Sequence, residues 1–247
     1  MSSSTTVGRA ATSFGGMFYA HLHDTSHDRA WRLILIVFAT RQTADEWWRA
    51  ISTSNIRKVK ESVQRVTPQF FTHQVSKWDC FSFFSDREVS AIASNFRGKM
   101  FFILESDGLG KGITPIPQQT IVDHTSGDWF CIRSKRDAKQ HWHYESNQIV
   151  VSDKFCTPFR ITASNLHSGG IMIGSDTVTL AISEYKFVGL RRFADGWNLE
   201  VTGHPASAAQ FKFEDLDKGR LVITDDQRDP VVSYVPGGSG AGWELVL

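Results

Sequence analysis

The second half of the chain is a succession of short strand-like segments, and this constrains the fold more than any other feature. Turn sequences such as Ser126-Gly127, Gly169-Gly170 and Asp195-Gly196 separate the segments. Spacings of about 8–12 residues without helical periodicity are typical of a sandwich or barrel. We predict strands at Thr120–Asp123, Trp129–Arg133, Trp142–Glu145, Gln148–Val151, Phe159–Thr162, Ile171–Ile173, Val178–Ile182, Lys186–Leu190, Asn198–Val201, Gln210–Phe213, Leu221–Thr224, Val231–Tyr234 and Trp243–Leu247.

The first half mixes strand patterns with helix patterns. Met17–His23 and Ala30–Thr40 predict a hairpin, and Lys99–Glu105 predicts a further strand. Gln64–Val75 also reads as a strand, but Pro68 makes it an edge strand or splits it, because proline cannot donate to a sheet ladder.

Two capping boxes predict helices in the same half. Thr43-Ala44-Asp45-Glu46 precedes Trp47 and Trp48, which continue an apolar helix face, and Ser85-Asp86-Arg87-Glu88 precedes a second such face. Gly98 follows the second helix, at the position where a helix commonly ends with a glycine in the left-handed conformation. The first half is therefore predicted to be an α+β domain.

Composition divides the chain into four parts. Residues 1–16 are rich in Ser, Thr, Ala and Gly and predict a disordered tail, and residues 17–105 form the α+β domain. Residues 106–117 carry glycines and prolines that predict a linker, and residues 118–247 form the all-β domain. The longest apolar run, Leu33 to Ala39, is far shorter than the roughly 20 residues of a membrane-spanning helix.

The three cysteines are Cys80, Cys131 and Cys156. An odd, sparse count without a secretory signal argues against a disulfide framework and predicts a cytoplasmic protein. Without a C-x-x-C pair, a cysteine-based metal site is not expected, and Cys80 reads as a buried, inert thiol beside His73 rather than as a nucleophile.

Aromatic residues are mostly Phe and Trp, with 18 Phe and 8 Trp against 4 Tyr. Exposed recognition surfaces favour Tyr, so this balance predicts packed cores. The rings expected at core strand positions are Phe101, Phe159, Phe211, Phe213 and Trp243.

A weak internal repeat and short motifs resemble a known family. Thr157–Ile161, Ala209–Phe213 and Gly242–Leu245 share an aromatic-polar-apolar step, and Gln140-His141-Trp142 matches the Q-x-W tripeptide of ricin-B-type trefoils. Val178–Ala181 and Lys186–Leu190 resemble the repeat of fascin-like trefoils. The second half thus resembles cytosolic β-trefoil proteins of fungi, which implies a β-trefoil-like fold over residues 118–247.

The resemblance also implies a ligand. In ricin-B-type lectins an Asp and an aromatic ring clamp a galactose-like sugar, and Asp123 and Trp129 fall in that part of the first repeat. His141, His143 and Asn147 lie nearby in sequence and supply further hydrogen-bonding groups. Fascin-like trefoils bind actin or other proteins instead.

The sequence gives little support for catalysis, metal binding or nucleic-acid binding. No nucleophile elbow, zinc-protease motif or phosphate-binding loop occurs, and His21-Leu22-His23 alone fixes no metal site, so no catalytic residue, metal or cofactor is predicted. The formal net charge of +1 argues against a nucleic-acid partner.

These observations favour a non-catalytic, lectin-like protein whose partner is a glycan or glycoprotein. Two alternatives remain open. One is a protein-interaction module, such as an inhibitor or cytoskeletal binder. The other is an enzyme with its site in the N-terminal domain, lined by His21, His23 or His73, or at the domain junction.

Overall fold

The computed structural model describes residues 16–26, 33–105, 121–193, 196–226 and 229–247. The chain divides into two compact units, Met1–Gly110 and Lys111–Leu247. The predicted linker, 106–117, and residues 1–15 of the predicted tail lie outside the described residues. Within the described part, no helix is long and apolar enough to span a membrane.

The N-terminal unit is a mixed five-stranded sheet with helices, which confirms an α-and-β domain. The sheet order is β3-β4-β1-β2-β5, with β1 antiparallel to β2 and parallel to β4. The strands are β1 (Phe18–Asp24), β2 (Leu33–Phe38), β3 (Val63–Thr67), β4 (Phe70–His73) and β5 (Met100–Glu105). The helices are α1 (Arg41–Ser52), α2 (Arg57–Ser62) and α3 (Ser90–Ser94), and a 3-10 turn spans Cys80–Ser82.

The sequence prediction for residues 64–75 can be compared directly with the structure. Pro68 does split the predicted 64–75 strand, and the two pieces pair with each other as an antiparallel hairpin. Their register shifts between Arg65 and Thr67, so β3 carries an irregularity near its end. This edge strand is therefore short and irregular.

Both helices predicted from capping boxes are present, but each begins at a different residue from the one predicted. Helix α1 begins earlier than predicted, because the Thr40 side chain is the cap and accepts from the Thr43 amide at 3.1 Å. Helix α3 begins only at Ser90, because the hydroxyl of Ser85, the predicted cap, donates to the Ser82 carbonyl at 3.0 Å instead of capping a helix. Gly98 does adopt the left-handed conformation, at φ 73°.

The C-terminal unit is almost entirely antiparallel β-structure, as predicted, with one helical turn that the sequence did not signal. Its strands are β6 (Trp129–Ser134), β7 (His141–Glu145), β8 (Gln148–Ser152), β9 (Phe159–Ala163), β10 (Thr177–Ser183), β11 (Lys186–Phe193), β12 (Gly196–Thr202), β13 (Phe211–Lys212), β14 (Leu221–Asp226), β15 (Asp229–Tyr234) and β16 (Trp243–Val246). The helical turn is α4 (Glu214–Asp217), and a 3-10 turn spans Pro205–Ser207.

Eight of these strands close into a barrel. The ring runs β6-β7-β8-β15-β12-β11-β10-β9 and returns to β6, while β13, β14 and β16 pair with β10, β15 and β6. The predicted repeat therefore falls at non-equivalent places: Phe159 lies in a ring strand, whereas Phe211 and Trp243 lie in strands outside the ring. An inward aromatic followed by a polar and an apolar residue is common to any strand with one buried face, so the step does not identify repeating units.

Most of the predicted strands are present, because each contributes buried side chains to the barrel core. Trp142 is fully buried, and its ring centroid lies 5.8 Å from Phe159 and 5.5 Å from Trp243. The Trp243 indole N–H donates to the Leu221 carbonyl at 2.7 Å. Residues 121–123 and 171–173 form no strand; Ile171 makes only an isolated bridge with Thr125.

Two further predictions are wrong. Cys131 and Cys156 form a disulfide, although the odd cysteine count suggested free thiols; only Cys80 is free, and it is buried as predicted. Phe101 is 50% exposed rather than part of the core, because it points to the sheet face opposite the helices, in register with Val37 and Tyr19, whereas Met100 beside it is buried. Phe159, Phe211 and Trp243 are buried, and Phe213 is partly buried.

Candidate functional site

The outer face of the barrel at β6 and β7 carries three of the predicted ligand-binding residues. Side chains alternate along a strand, and Phe130 and Trp142 point into the core. Trp129, His141 and His143, on the neighbouring positions, therefore point outward. Strand pairing places these two strands side by side, so the three side chains share one face.

The most exposed of these residues is Trp129. Its side chain is 43% exposed, and the Arg160 guanidinium lies 5.9 Å from the ring centroid. The pairing of β6 with β9 sets Arg160 directly across from Trp129. Among the described residues, Arg160 Nε has no hydrogen-bond partner. That Nε atom is itself buried, so the surface presents the Trp129 indole face with the edge of a guanidinium beside it.

His143 lies against the loop between β8 and β9. Its Nδ1 is 3.0 Å from the Thr157 hydroxyl oxygen, and its ring centroid is 5.3 Å from that of Phe155. Phe155 is 61% exposed. We call Trp129, Arg160, His143, Phe155 and Thr157 the outer cluster. It contains two exposed rings and several hydrogen-bonding groups.

The disulfide connects the two parts of the outer cluster. Cys131 follows Trp129 on the outer face of β6, and Cys156 lies between Phe155 and Thr157, with a Cα–Cα distance of 6.2 Å. The Tyr144 amide also donates to the Thr157 hydroxyl at 2.9 Å. The loop that carries Phe155 is therefore fastened to both β6 and β7.

The other predicted site residues lie around or away from the outer cluster. His141 is half-buried, with Nδ1 3.0 Å from the Lys139 carbonyl. Asn147 is exposed in the β7–β8 turn, where it and Ser146 have φ values of 70° and 47°, typical of a tight hairpin turn. Asp123 is half-buried in a segment that pairs with residues 170–172, on the β9 side of the barrel.

A cleft of about 550 Å³ lies near the β6–β7 connection. Its floor includes Leu221 and Trp243, and its polar rim includes Arg136, Asp137 and Gln140. The volume suits a small ligand. Gln140, the first residue of the Q-x-W tripeptide, therefore lines a cavity separate from Trp129.

The histidines of the N-terminal unit do not converge. His21 and His23 point to one face of the sheet, because Leu22 between them is fully buried under the helices. His73 pairs in register with Asp24 and points to the helix-covered face, where it is 1% exposed. Among the described residues, no group of three or more His, Cys, Asp or Glu could hold a metal ion.

The buried His73 predicts a pH dependence of stability. Burial lowers the pKa of His73, although Asp24 and Asp79 oppose the shift. The unfolded chain therefore binds a proton that the folded chain excludes, so stability is full above the unfolded pKa of about 6.5 and falls as pH drops below it. Denaturant titrations from pH 8 to 5 should show a loss of up to about 1.4 kcal/mol per pH unit from this group.

The control for this prediction is His73→Phe, which keeps a buried ring without a titrating nitrogen. His73 is 1% exposed, so a phenyl ring of similar size keeps the packing at this position. The variant should lose less stability than the wild type between pH 7 and pH 5. Parallel pH curves for the two proteins would contradict the prediction.

Fold and site together define a two-unit protein, a mixed α/β sheet followed by an antiparallel β-barrel with an outer aromatic cluster. No family model matches the chain, and no curated protein matches it. Among solved structures, a Caenorhabditis elegans protein of unknown function aligns at 14% identity and a TM-score of 0.37, covering 53% of this chain and 98% of that one. The predicted resemblance to fascin-like and ricin-B-type trefoils is wrong: the C-terminal half is an eight-strand antiparallel barrel, and no family is assigned.

Sequence reasoning missed Arg160, Phe155 and Thr157. Arg160 joins Trp129 only through the register of β9 on β6, which no local pattern encodes. Phe155 and Thr157 are placed by the disulfide between them. Cys156 lies between these two residues in the sequence. It would have predicted their position beside β6 only if its disulfide partner, Cys131, had been known.

Proposed function

We propose that the C-terminal unit binds carbohydrate through the outer cluster. The observation that supports this most directly is the exposed Trp129 ring with the Arg160 guanidinium 5.9 Å from its centroid. Sugars present apolar C–H faces and hydroxyl rims. Such a ligand matches a surface that offers an aromatic face beside hydrogen-bond donors.

Each member of the outer cluster has a role in this proposal. The Trp129 indole stacks on the C–H face of a sugar ring, and Arg160 donates to hydroxyl or carboxylate oxygens at its edge. His143 and Phe155 lie along the same face and extend the surface to a second sugar unit. Thr157 orients His143 through the 3.0 Å contact with Nδ1.

A glycan array probed with the full chain tests the proposal. Trp129→Ala is expected to weaken binding to the selected glycan at least about tenfold, equivalent to about 1.4 kcal/mol. Trp197→Ala is the matched control, because Trp197 is a comparably exposed tryptophan, 38% against 43%, on β12 of the same unit. Isothermal titration with both variants, after circular dichroism confirms folding, measures the difference.

Two outcomes contradict the proposal. One is the absence of binding to any glycan on the array. The other is glycan binding that survives Trp129→Ala but is lost in Arg136→Ala, since Arg136 lines the separate cleft. That second result would assign sugar binding to the cleft instead.

A protein ligand is the second candidate, favoured by the 61% exposure of Phe155. Large exposed aromatic side chains commonly anchor protein interfaces. Co-sedimentation with filamentous actin tests the cytoskeletal version of this candidate. Binding that persists with excess sugar present and falls in Phe155→Ala would favour it over carbohydrate recognition.

A further inference from the structure

Strand β5 forms a regular, open edge of the N-terminal sheet. It pairs with β2 through six consecutive residue pairs, from Leu33↔Glu105 to Phe38↔Met100, without a register shift. It is the last strand in the sheet order, so its other side has no strand partner among the described residues. Unpaired amides and carbonyls of such an edge are a template for another strand.

The two edges of this sheet differ in how they are protected. At the β3 edge the register shifts between Arg65 and Thr67, and Pro68 follows directly. Irregularities and prolines of this kind block the addition of strands. Strand β5 has neither, and it exposes apolar side chains instead: Phe101 is 50%, Ile103 42% and Leu104 46% exposed.

We propose that β5 is a homodimer interface, in which a second copy of β5 adds antiparallel to the first. The same edge then faces itself across a two-fold axis, as closed dimers require. With the axis at Phe102, Phe101 comes opposite Ile103 of the second copy, and Met100 opposite Leu104. The two sheets join into one continuous sheet of ten strands, five from each copy.

The charges flanking β5 favour this arrangement. The sequence Lys99-Met100-Phe101-Phe102-Ile103-Leu104-Glu105 has a positive residue at one end, a negative residue at the other and five apolar residues between them. The antiparallel register that centres on Phe102 puts Lys99 opposite Glu105 at both ends of the interface. An in-register parallel pair would put like charges opposite each other, which destabilises strand pairing.

Sedimentation equilibrium of the full chain provides the test. The wild type should form a dimer whose dissociation constant lies below about 100 μM. Lys99→Glu alone and Glu105→Lys alone each place two like-charge pairs in the interface and should weaken the dimer about tenfold or more. The double variant Lys99→Glu/Glu105→Lys restores opposite charges and should recover the wild-type dimer.

Val66→Lys is the matched control, because Val66 is 57% exposed on the opposite edge strand and should leave the dimer unchanged. Circular dichroism of each variant checks that the substitutions leave the fold intact. A wild type that stays monomeric to about 100 μM would overturn the proposal. So would a dimer that both single charge reversals leave intact, or one that the double variant fails to recover.

Discussion

Replacing Trp47 by alanine is expected to lower the free energy of unfolding of the N-terminal unit by about 3–5 kcal/mol. Trp47 is 0% exposed, and its ring centroid lies 5.7 Å from Phe38 and 5.5 Å from Phe71. Phe83 and Phe102 pack around it at 6.4 and 6.5 Å. Its removal leaves a cavity at the point where helix and sheet aromatics meet, and a rigid ring cluster closes such a cavity poorly.

The adjacent Trp48 provides the control. It is only half-buried and, among the described residues, has one aromatic neighbour, Phe71, at 5.9 Å. Trp48→Ala should cost less than half as much as Trp47→Ala, since less apolar area returns to water. Calorimetry of the full chain, following the transition of the N-terminal unit, measures both. Equal losses in the two variants would contradict the assigned burial.

A third variant separates the loss of volume from the loss of polarity. The Trp47 indole N–H has no hydrogen-bond partner among the described residues. Trp47→Phe therefore removes an unpaired buried donor together with part of the ring. It should cost clearly less than Trp47→Ala, and a similar cost would mean that the indole N–H is hydrogen-bonded in solution.

Loss of the Cys131–Cys156 disulfide is expected to destabilise the C-terminal unit by about 3–4 kcal/mol, on the chain-entropy model for a sequence separation of 25. The loop it closes contains β7 and β8, two strands of the barrel ring. The paired Cys131→Ser/Cys156→Ser variant should show this loss in urea unfolding. Non-reducing peptide mapping should recover the two cysteines in one linked peptide pair.

Cys80 is the internal control for the disulfide. It is fully buried, and burial raises the pKa of its thiol well above the usual range, so it should resist alkylation in the folded protein. Alkylation after unfolding without reductant should modify one cysteine, Cys80. Modification of three cysteines under those conditions would contradict the disulfide.

Most of the C-terminal strands could be predicted because each has one buried face. Phe159 and Ile161 point inward while their neighbours point outward, and this alternation is written locally in the sequence. The barrel closure could not be read in the same way. Which strands pair, such as β8 with β15, depends on contacts between residues far apart in the chain.

The N-terminal unit shows the same limit at single residues. Phe101 occupies a strand position with apolar neighbours, so the local pattern predicts burial. It is exposed because it points to the sheet face that the helices do not cover, whereas Met100 next to it points under them. The capping box at Ser85 was misleading because the Ser85 hydroxyl donates to the Ser82 carbonyl instead of capping a helix. In both cases contacts made in the folded chain, and not the local sequence pattern, determine the structure.

For the candidate site, sequence located Trp129 and His143 but not what surrounds them. Arg160 reaches Trp129 across two paired strands, and Phe155 reaches His143 through a loop fastened by a disulfide. Neither relation follows from spacing along the chain. Asn147 illustrates the converse, since its left-handed turn conformation already accounts for an Asn at that position.

The pairing of β16 with β6 also has a consequence for the order of events during synthesis. Residues Trp243 to Val246 pair with Cys131 to Ser134, more than a hundred positions earlier. While the chain is still growing on the ribosome, β6 is complete long before the strand that pairs with Cys131 to Ser134, the part of β6 that β9 leaves unpaired. Until the final strand emerges, that nascent edge is exposed to other chains, so translation that stalls before residue 243 leaves a product prone to misassembly.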